Sequence, residues 1–114
     1  MTTTWKLSNT RPRVLVVDNN PAFTRTARRL LERSARYIVH EENDPRRVLE
    51  TARGFQPDLI LLDMMMPELD GVTVATELHA DWMLRRVPIV FVTALVTPEE
   101  AKEGRRIGGH RLVA

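Results

Sequence analysis

The chain of 114 residues contains no cysteine. That excludes a disulfide framework, a thiolate metal centre and a cysteine nucleophile, and it suits a reducing compartment such as the cytoplasm. Long apolar runs are missing too. The longest, Val14–Val17, Leu59–Leu62 and Ile89–Val92, span four residues each, far short of the roughly 20 that a membrane-spanning helix needs. Met1 to Thr10 is Thr-rich without an apolar stretch, so no signal peptide is expected there. Aromatic residues are scarce at 5%, and Trp5 and Trp82 form no series suited to stacking bases. A strong charge of one sign is also absent. Seventeen basic residues, fifteen of them arginine, face fifteen acidic ones for a net +2. Interleaved charges of this kind describe a solvated surface, so neither membrane association nor direct nucleic-acid binding is expected. His40, His79 and His110 show no metal-ligand spacing.

What is present is an alternation of apolar runs and helix signals. Residues 1–11 read as a frayed lead-in and residues 12–114 as one domain, long enough to bury roughly two-thirds of its unfolded surface. Val14-Leu15-Val16-Val17 is a continuous apolar run ending at Asp18-Asn19. Asn20 then offers an N-cap, with Pro21 at the first helical position. In the helix that follows, Phe23, Ala27, Leu30, Leu31 and Ser34 fall on one face and a stripe of arginines on the other. Tyr37 to His40 is a short strand. Asp44-Pro45 opens a helix that turns Val48, Leu49 and Ala52 inward and is expected to end at Gly54.

Leu59 to Leu62 has the pattern of a strand buried on both faces, and Asp63 closes it. Pro67 and Asp70-Gly71 turn the chain out of the sheet. A helix is expected from about Val72, with Val74, Ala75, Leu78 and Trp82 at compatible spacing, and then a strand over Pro88–Thr93. Thr97-Pro98-Glu99-Glu100 carries a capping-box pattern for a weak fourth helix that Gly108-Gly109 ends, and a last strand begins at Arg111. This rhythm predicts an α/β, doubly wound parallel sheet with right-handed crossovers.

In such a sheet the carboxyl ends of the strands line one crevice. Asp18, Asp63 and Thr93 stand at three such ends. Asp63 by itself fits either a capped turn or a reactive group. Two carboxylates brought together repel unless a cation lies between them, and hard oxygen donors suit Mg²⁺ at sites that also hold phosphate. With a hydroxyl nearby to donate to a phosphoryl oxygen, the set describes a carboxylate that accepts a phosphoryl group with metal assistance.

These residues resemble the receiver domains of two-component response regulators. The resemblance runs from Arg13 to Ala114. It rests on Val16-Val17-Asp18, on Pro57–Asp63 with Met66-Pro67 and Asp70-Gly71, and on Pro88–Ala94. The separations, 45 residues from Asp18 to Asp63 and 30 from Asp63 to Thr93, are typical of the family. It implies a flavodoxin-like, five-stranded sheet of order 2-1-3-4-5, here with the last strand cut short and the fifth helix missing. It also implies Asp63 as the phosphoacceptor, charged by a sensor histidine kinase or a phosphotransfer protein. Asp18, Asp63 and the backbone carbonyl of Met65 would hold Mg²⁺, and Thr93 would be the switch residue, with output through the fourth helix and fifth strand. An output domain or a homodimer is compatible with it. The module is expected to be a phosphoacceptor with at most weak self-catalysis, and no enzyme.

Three features depart from the family pattern, and a fourth position bears on a competing enzyme class. Asn19 fills a slot that commonly carries a second acid, which predicts a weakened metal ligand. The phosphate-binding lysine falls just past Ala114, so none is expected within this chain; Lys6 and Lys102 sit at no strand end, and the natural chain is expected to continue. Leu112 takes the switch position that often carries an aromatic ring. Met65 stands where aspartyl phosphatases commonly place a second acid, which speaks against that enzyme class. The alternative function is a phosphorylation-impaired, receiver-like binding module. Met64–Met66, Glu41-Glu42 and Asp81 are expected to be flexible packing and solvated charge.

Overall fold

The computed structural model describes residues 11–67, 69–92, 106–107 and 110–113. Four parallel strands form the heart of the sheet: β1 (Arg13–Val17), β2 (Ile38–Glu42), β3 (Leu59–Asp63) and β4 (Ile89–Val92), in the order β2-β1-β3-β4. Three helices alternate with them, α1 (Pro21–Glu32), α2 (Val48–Phe55) and α3 (Gly71–Ala80), and a 3₁₀ turn over Pro45–Arg47 leads into α2. The expected α/β architecture and strand order are therefore found.

Alternation along the strands sorts the side chains into two layers. Leu15 and Val17 of β1, Ile60 and Leu62 of β3, and Ile89 and Phe91 of β4 pack with Val48 and Ala52 of α2 and with Val74, Ala75 and Leu78 of α3. On the opposite face Val14, Val16 and Val39 meet Ala27 and Leu31 of α1 together with Tyr37 and Leu61. The central strand is thus less symmetric than its apolar run suggests. Ile60 and Leu62 are fully buried, whereas Leu59 and Leu61 are only partly so.

Helix α1 departs from the expected face. Thr24 is its only buried residue, and Phe23 and Leu30 are 39% and 59% exposed. Ser34 is exposed as well. At 3.6 residues per turn, Thr24, Ala27 and Leu31 align in one stripe and Phe23 and Leu30 fall on its flank. Thr24 holds the inward position because its hydroxyl finds polar partners there. Helix α2 runs one residue past Gly54, and Gln56 in the left-handed region (φ 54°) closes it. Phe55 is drawn in by Arg13, whose Nε donates to the Phe55 carbonyl at 2.7 Å and whose guanidinium lies 4.3 Å from the ring centre. His40 stacks against the same ring at 5.2 Å.

Helix α3 begins one residue before expected, at Gly71, and stops before Trp82. Asp81 adopts an extended backbone, its carboxylate accepts from the Met83 amide at 3.1 Å, and Leu84 instead of Trp82 reaches the core. Trp82 is 76% exposed. Asp81 itself is buried and ion-paired with Arg53, not solvated.

Beyond β4 the sheet differs from the expected five strands. β6 (His110–Val113) pairs in parallel with β4, matching Phe91 to Leu112 and Val92 to Val113. Its outer neighbour β5 (Arg106–Ile107) runs antiparallel and makes a sixth strand where the end of the fourth helix was expected. Gly108-Gly109 separates the two paired strands, a dipeptide that suits a tight reversal as well as a helix stop. Thr93, Lys6, Lys102 and the Thr97 capping box lie outside the described residues.

Candidate functional site

The parallel register places the site. Val17 pairs with Leu62, so Asp18 and Asp63 leave neighbouring strands side by side at their carboxyl ends. The loop after β1 is short and self-bonded. Oδ1 of Asp18 accepts from the Asn20 amide at 2.9 Å, and Asn20 in turn caps α1 by accepting from the Ala22 amide at 3.0 Å. Asn19 lies between them in the chain and is exposed.

On the other side, Asp63 is partly buried and its Oδ1 accepts from the Met65 amide at 3.1 Å. Burial lifts the Asp63 carboxyl above its ordinary value and the Met65 amide opposes that shift. The neighbouring Asp18 carboxylate raises it further. Asp63, its charge disfavoured by burial and by its neighbour, forms with Asp18 a pair of hard oxygen donors short of positive charge, which fits a small divalent cation. Among the described residues no group of three or more acidic or histidine side chains gathers as a metal cluster. The oxygens available at this edge are few: the carboxylates of Asp18 and Asp63, with the exposed Asn19 and backbone carbonyls nearby.

The turn after β3 is fixed by close backbone contact. The Gly71 amide donates to the Met64 carbonyl at 2.9 Å, and a Cβ at Gly71 would sit 2.6 Å from the Asp63 carbonyl oxygen. Asp70 caps α3 by accepting from the Thr73 amide at 2.8 Å, which holds its carboxyl below its ordinary value. The methionines divide their roles: Met66 is buried, Met64 packs at the core's edge, and Met65 is 55% exposed beside Asp63.

Asp18, Asp63, Asn19 and Met65 are thus brought to one edge, while Thr93 falls outside the described residues. Leu112 pairs through its backbone with Phe91. Sequence reasoning missed three contributors. Gly71 was legible only as a turn residue, whereas it is the point where α3 meets the β3 backbone. Glu41, expected to be solvated, accepts from the buried Thr24 hydroxyl at 2.8 Å. Asn43 donates to the Asp18 carbonyl at 2.8 Å. The one available hint was an amide side chain directly after a strand whose neighbour ends in the site. Glu42 is likewise bonded, accepting from the Asp44 amide at 2.9 Å and from the Thr51 hydroxyl.

Residues 14–114 match the family model of the response regulator receiver domain. RpaA of Synechocystis sp., a DNA-binding dual master transcriptional regulator, is 36% identical over 93 residues, covering 82% of this chain and 38% of that protein. The polar-differentiation response regulator DivK of Brucella anthropi is 33% identical over 95 residues, covering 83% of this chain and 76% of its own length. Among solved structures, the chemotaxis protein CheY4 of Vibrio cholerae superposes with a TM-score of 0.75 at 25% identity, covering 90% of this chain and 85% of that one. The chain therefore spans little more than a third of RpaA but three quarters of DivK. No helix among the described residues is long and apolar enough to cross a membrane.

Proposed function

The chain belongs to the response regulator receiver domain family, and on that premise we propose that Asp63 accepts a phosphoryl group from a histidine kinase or a phosphotransfer protein. Receiver domains are two-component signalling modules rather than true enzymes, so a histidine-kinase partner follows from the family. The observation that carries the assignment to Asp63 is its pairing with Asp18 at the carboxyl ends of β1 and β3, where the neighbouring charge and burial both press on its carboxyl.

The chemistry follows from the bonding of the side chain. Oδ1 of Asp63 is engaged by the Met65 amide, which orients the carboxylate and leaves Oδ2 as the nucleophile. In the transfer, Oδ2 forms the bond to phosphorus as the bond from phosphorus to the donor's imidazole nitrogen breaks, and the imidazole takes up a proton. Asp18, Asp63 and the Met65 carbonyl would hold Mg²⁺, with the uncharged Asn19 amide as a weaker donor; when bound, the ion supplies the positive charge that offsets the incoming phosphoryl oxygens. Partial exposure of Asp63 keeps it reachable by a partner's phosphohistidine. Thr93 and Leu112 are the proposed switch positions, and the edge around β4 and β6 the face that changes.

A direct test incubates the protein with a small phosphodonor and Mg²⁺ and reads intact mass. One added phosphoryl group that disappears in Asp63→Asn supports the assignment. An unmodified wild-type protein favours the second reading, a binding module impaired in phosphorylation, for which Asn19 in place of a charged donor is the specific motive.

A further inference from the structure

We infer that Asn43, which lies outside the pair of carboxylates, is a positioning residue that sets the orientation of Asp18 toward a metal ion. The inference rests on the reading of Asp18 as a Mg²⁺ holder given above.

The geometry begins with a strand end that its own ladder does not finish. The Asp18 amide still bonds to its neighbour, donating to the Glu42 carbonyl at 3.2 Å. Its carbonyl, on the same β2 side, is taken by the Nδ2 group of Asn43 at 2.8 Å. The same Nδ2 group donates at 2.9 Å to the hydroxyl of Thr24. A peptide carbonyl can only accept, so this contact fixes which end of the amide faces inward. Both Nδ2 protons are then used, one on each partner.

Thr24 is completely buried, and its own proton is shared between the Pro21 carbonyl at 3.1 Å and Oε1 of Glu41 at 2.8 Å. Glu41 is anchored in turn by Arg28 at 3.3 Å, and Arg28 also pairs with Glu32 at 3.2 Å. A continuous series of hydrogen bonds therefore links an ion pair at the surface, through a buried hydroxyl and the Asn43 amide, to the Asp18 carbonyl. The charged acceptor at its far end strengthens the bonds between.

Holding that carbonyl fixes the peptide unit between Asp18 and Asn19. It thereby sets the side chain of the first, and the backbone from which the second projects. Within the loop, Asp18 has one further restraint, the Asn20 amide on Oδ1, which leaves Oδ2 for the site. Partners of this outer kind govern how a ligand is presented, and losing one typically costs about 10–100-fold in metal affinity.

The test compares Asn43→Ala, Thr24→Val and Thr24→Ser with the wild type by two readouts. One is Mg²⁺ affinity by titration; the other is hydrogen exchange at the Asn20 amide in the metal-free protein, which reports directly on the Asp18 carboxylate. Asn43→Ala and Thr24→Val are expected to weaken Mg²⁺ binding about 10-fold or more and to speed exchange at Asn20, while the Leu15 and Ile60 amides keep wild-type exchange. Thr24→Ser, which retains the hydroxyl, is expected to restore both. Mg²⁺ affinity within twofold of wild type and unchanged exchange at Asn20 in Asn43→Ala would overturn the inference. So would equal acceleration at Leu15 and Ile60, since the loss would then be general. A wild-type protein that binds no Mg²⁺ would remove the metal reading, and exchange at Asn20 alone would decide whether Asn43 positions Asp18.

Discussion

The contact between Gly71 and the β3 turn makes a sharp quantitative prediction when paired with a second glycine. A Cβ at position 71 would lie 2.6 Å from the Asp63 carbonyl oxygen and 2.7 Å from the Met64 Cα. Relaxed contacts between such atoms need about 3.5–4.0 Å, so the two backbones must separate by about 1 Å. Neither yields easily. Asp63 is registered against Val92 in the sheet, and the first turn of α3 is pinned by the Asp70 cap and the bond from Gly71 to the Met64 carbonyl. Overpacking of this kind costs about 1–3 kcal/mol. In a domain of this size that lowers the melting temperature by roughly 4–20 °C. Gly54 lies within α2 with nothing within 4 Å of its Cβ position. Alanine there should stabilise by about 0.5–1 kcal/mol, by relieving the glycine's entropic cost in a helix. The assay is thermal and urea denaturation of both variants side by side. Opposite signs are expected. A Gly71→Ala protein as stable as wild type, or the two variants moving together, would refute the close-approach reasoning.

Three further outcomes follow from the site and its surroundings. Burial and Asp18 raise the Asp63 carboxyl, so the folded state holds that proton more tightly than the unfolded one; the associated stability is present at low pH and lost as pH rises through the folded value. In metal-free buffer, Asp63→Asn should therefore gain on wild type as pH rises across the carboxylate range, and parallel pH–stability curves would contradict this. Asn19→Asp adds a charged oxygen donor and should tighten Mg²⁺ binding; identical titration curves for variant and wild type would refute the idea that Asn19 weakens the site. Asp81 is held below its ordinary value, chiefly by Arg53, so its contribution is present at neutral pH and fades as pH falls through that lowered value. Asp81→Asn should accordingly show its largest loss of denaturation midpoint near neutrality, with the gap to wild type closing in acid.

The parts of this fold that repeat were readable in advance, and the parts set by single contacts were not. Apolar runs of four residues, each followed by a helix signal, are enough to place β1, β3 and β4 and to bring Asp18 and Asp63 together. Helix faces were harder. The inward residue of α1 is Thr24, whose polarity argues for the surface until its hydroxyl partners are seen. Gly54 looked like a helix stop, but Arg13 and His40 hold Phe55 in the helix, and Gln56 closes it with a positive φ. Trp82 had the right spacing for the core, yet the Asp81 carboxylate capped the following turn and turned the indole outward. The outer strand β5 escaped notice because glycine pairs punctuate helices and reversals alike.

The two layers of the sheet hold the site unequally. On one side Asp63 is braced by a packed layer carrying α2 and α3 and by a glycine contact with no room to give. On the other, Asp18 leads into α1, which contributes one buried residue and otherwise rests on the sheet by its margin. An opening too small to unfold the domain would begin at α1, which among the described helices has the least apolar surface to expose. The Asp63 wall is therefore the stiff jaw of the crevice and the Asp18 loop the compliant one, so a pull on α1 from outside would be felt first as a change in the gap between the carboxylates.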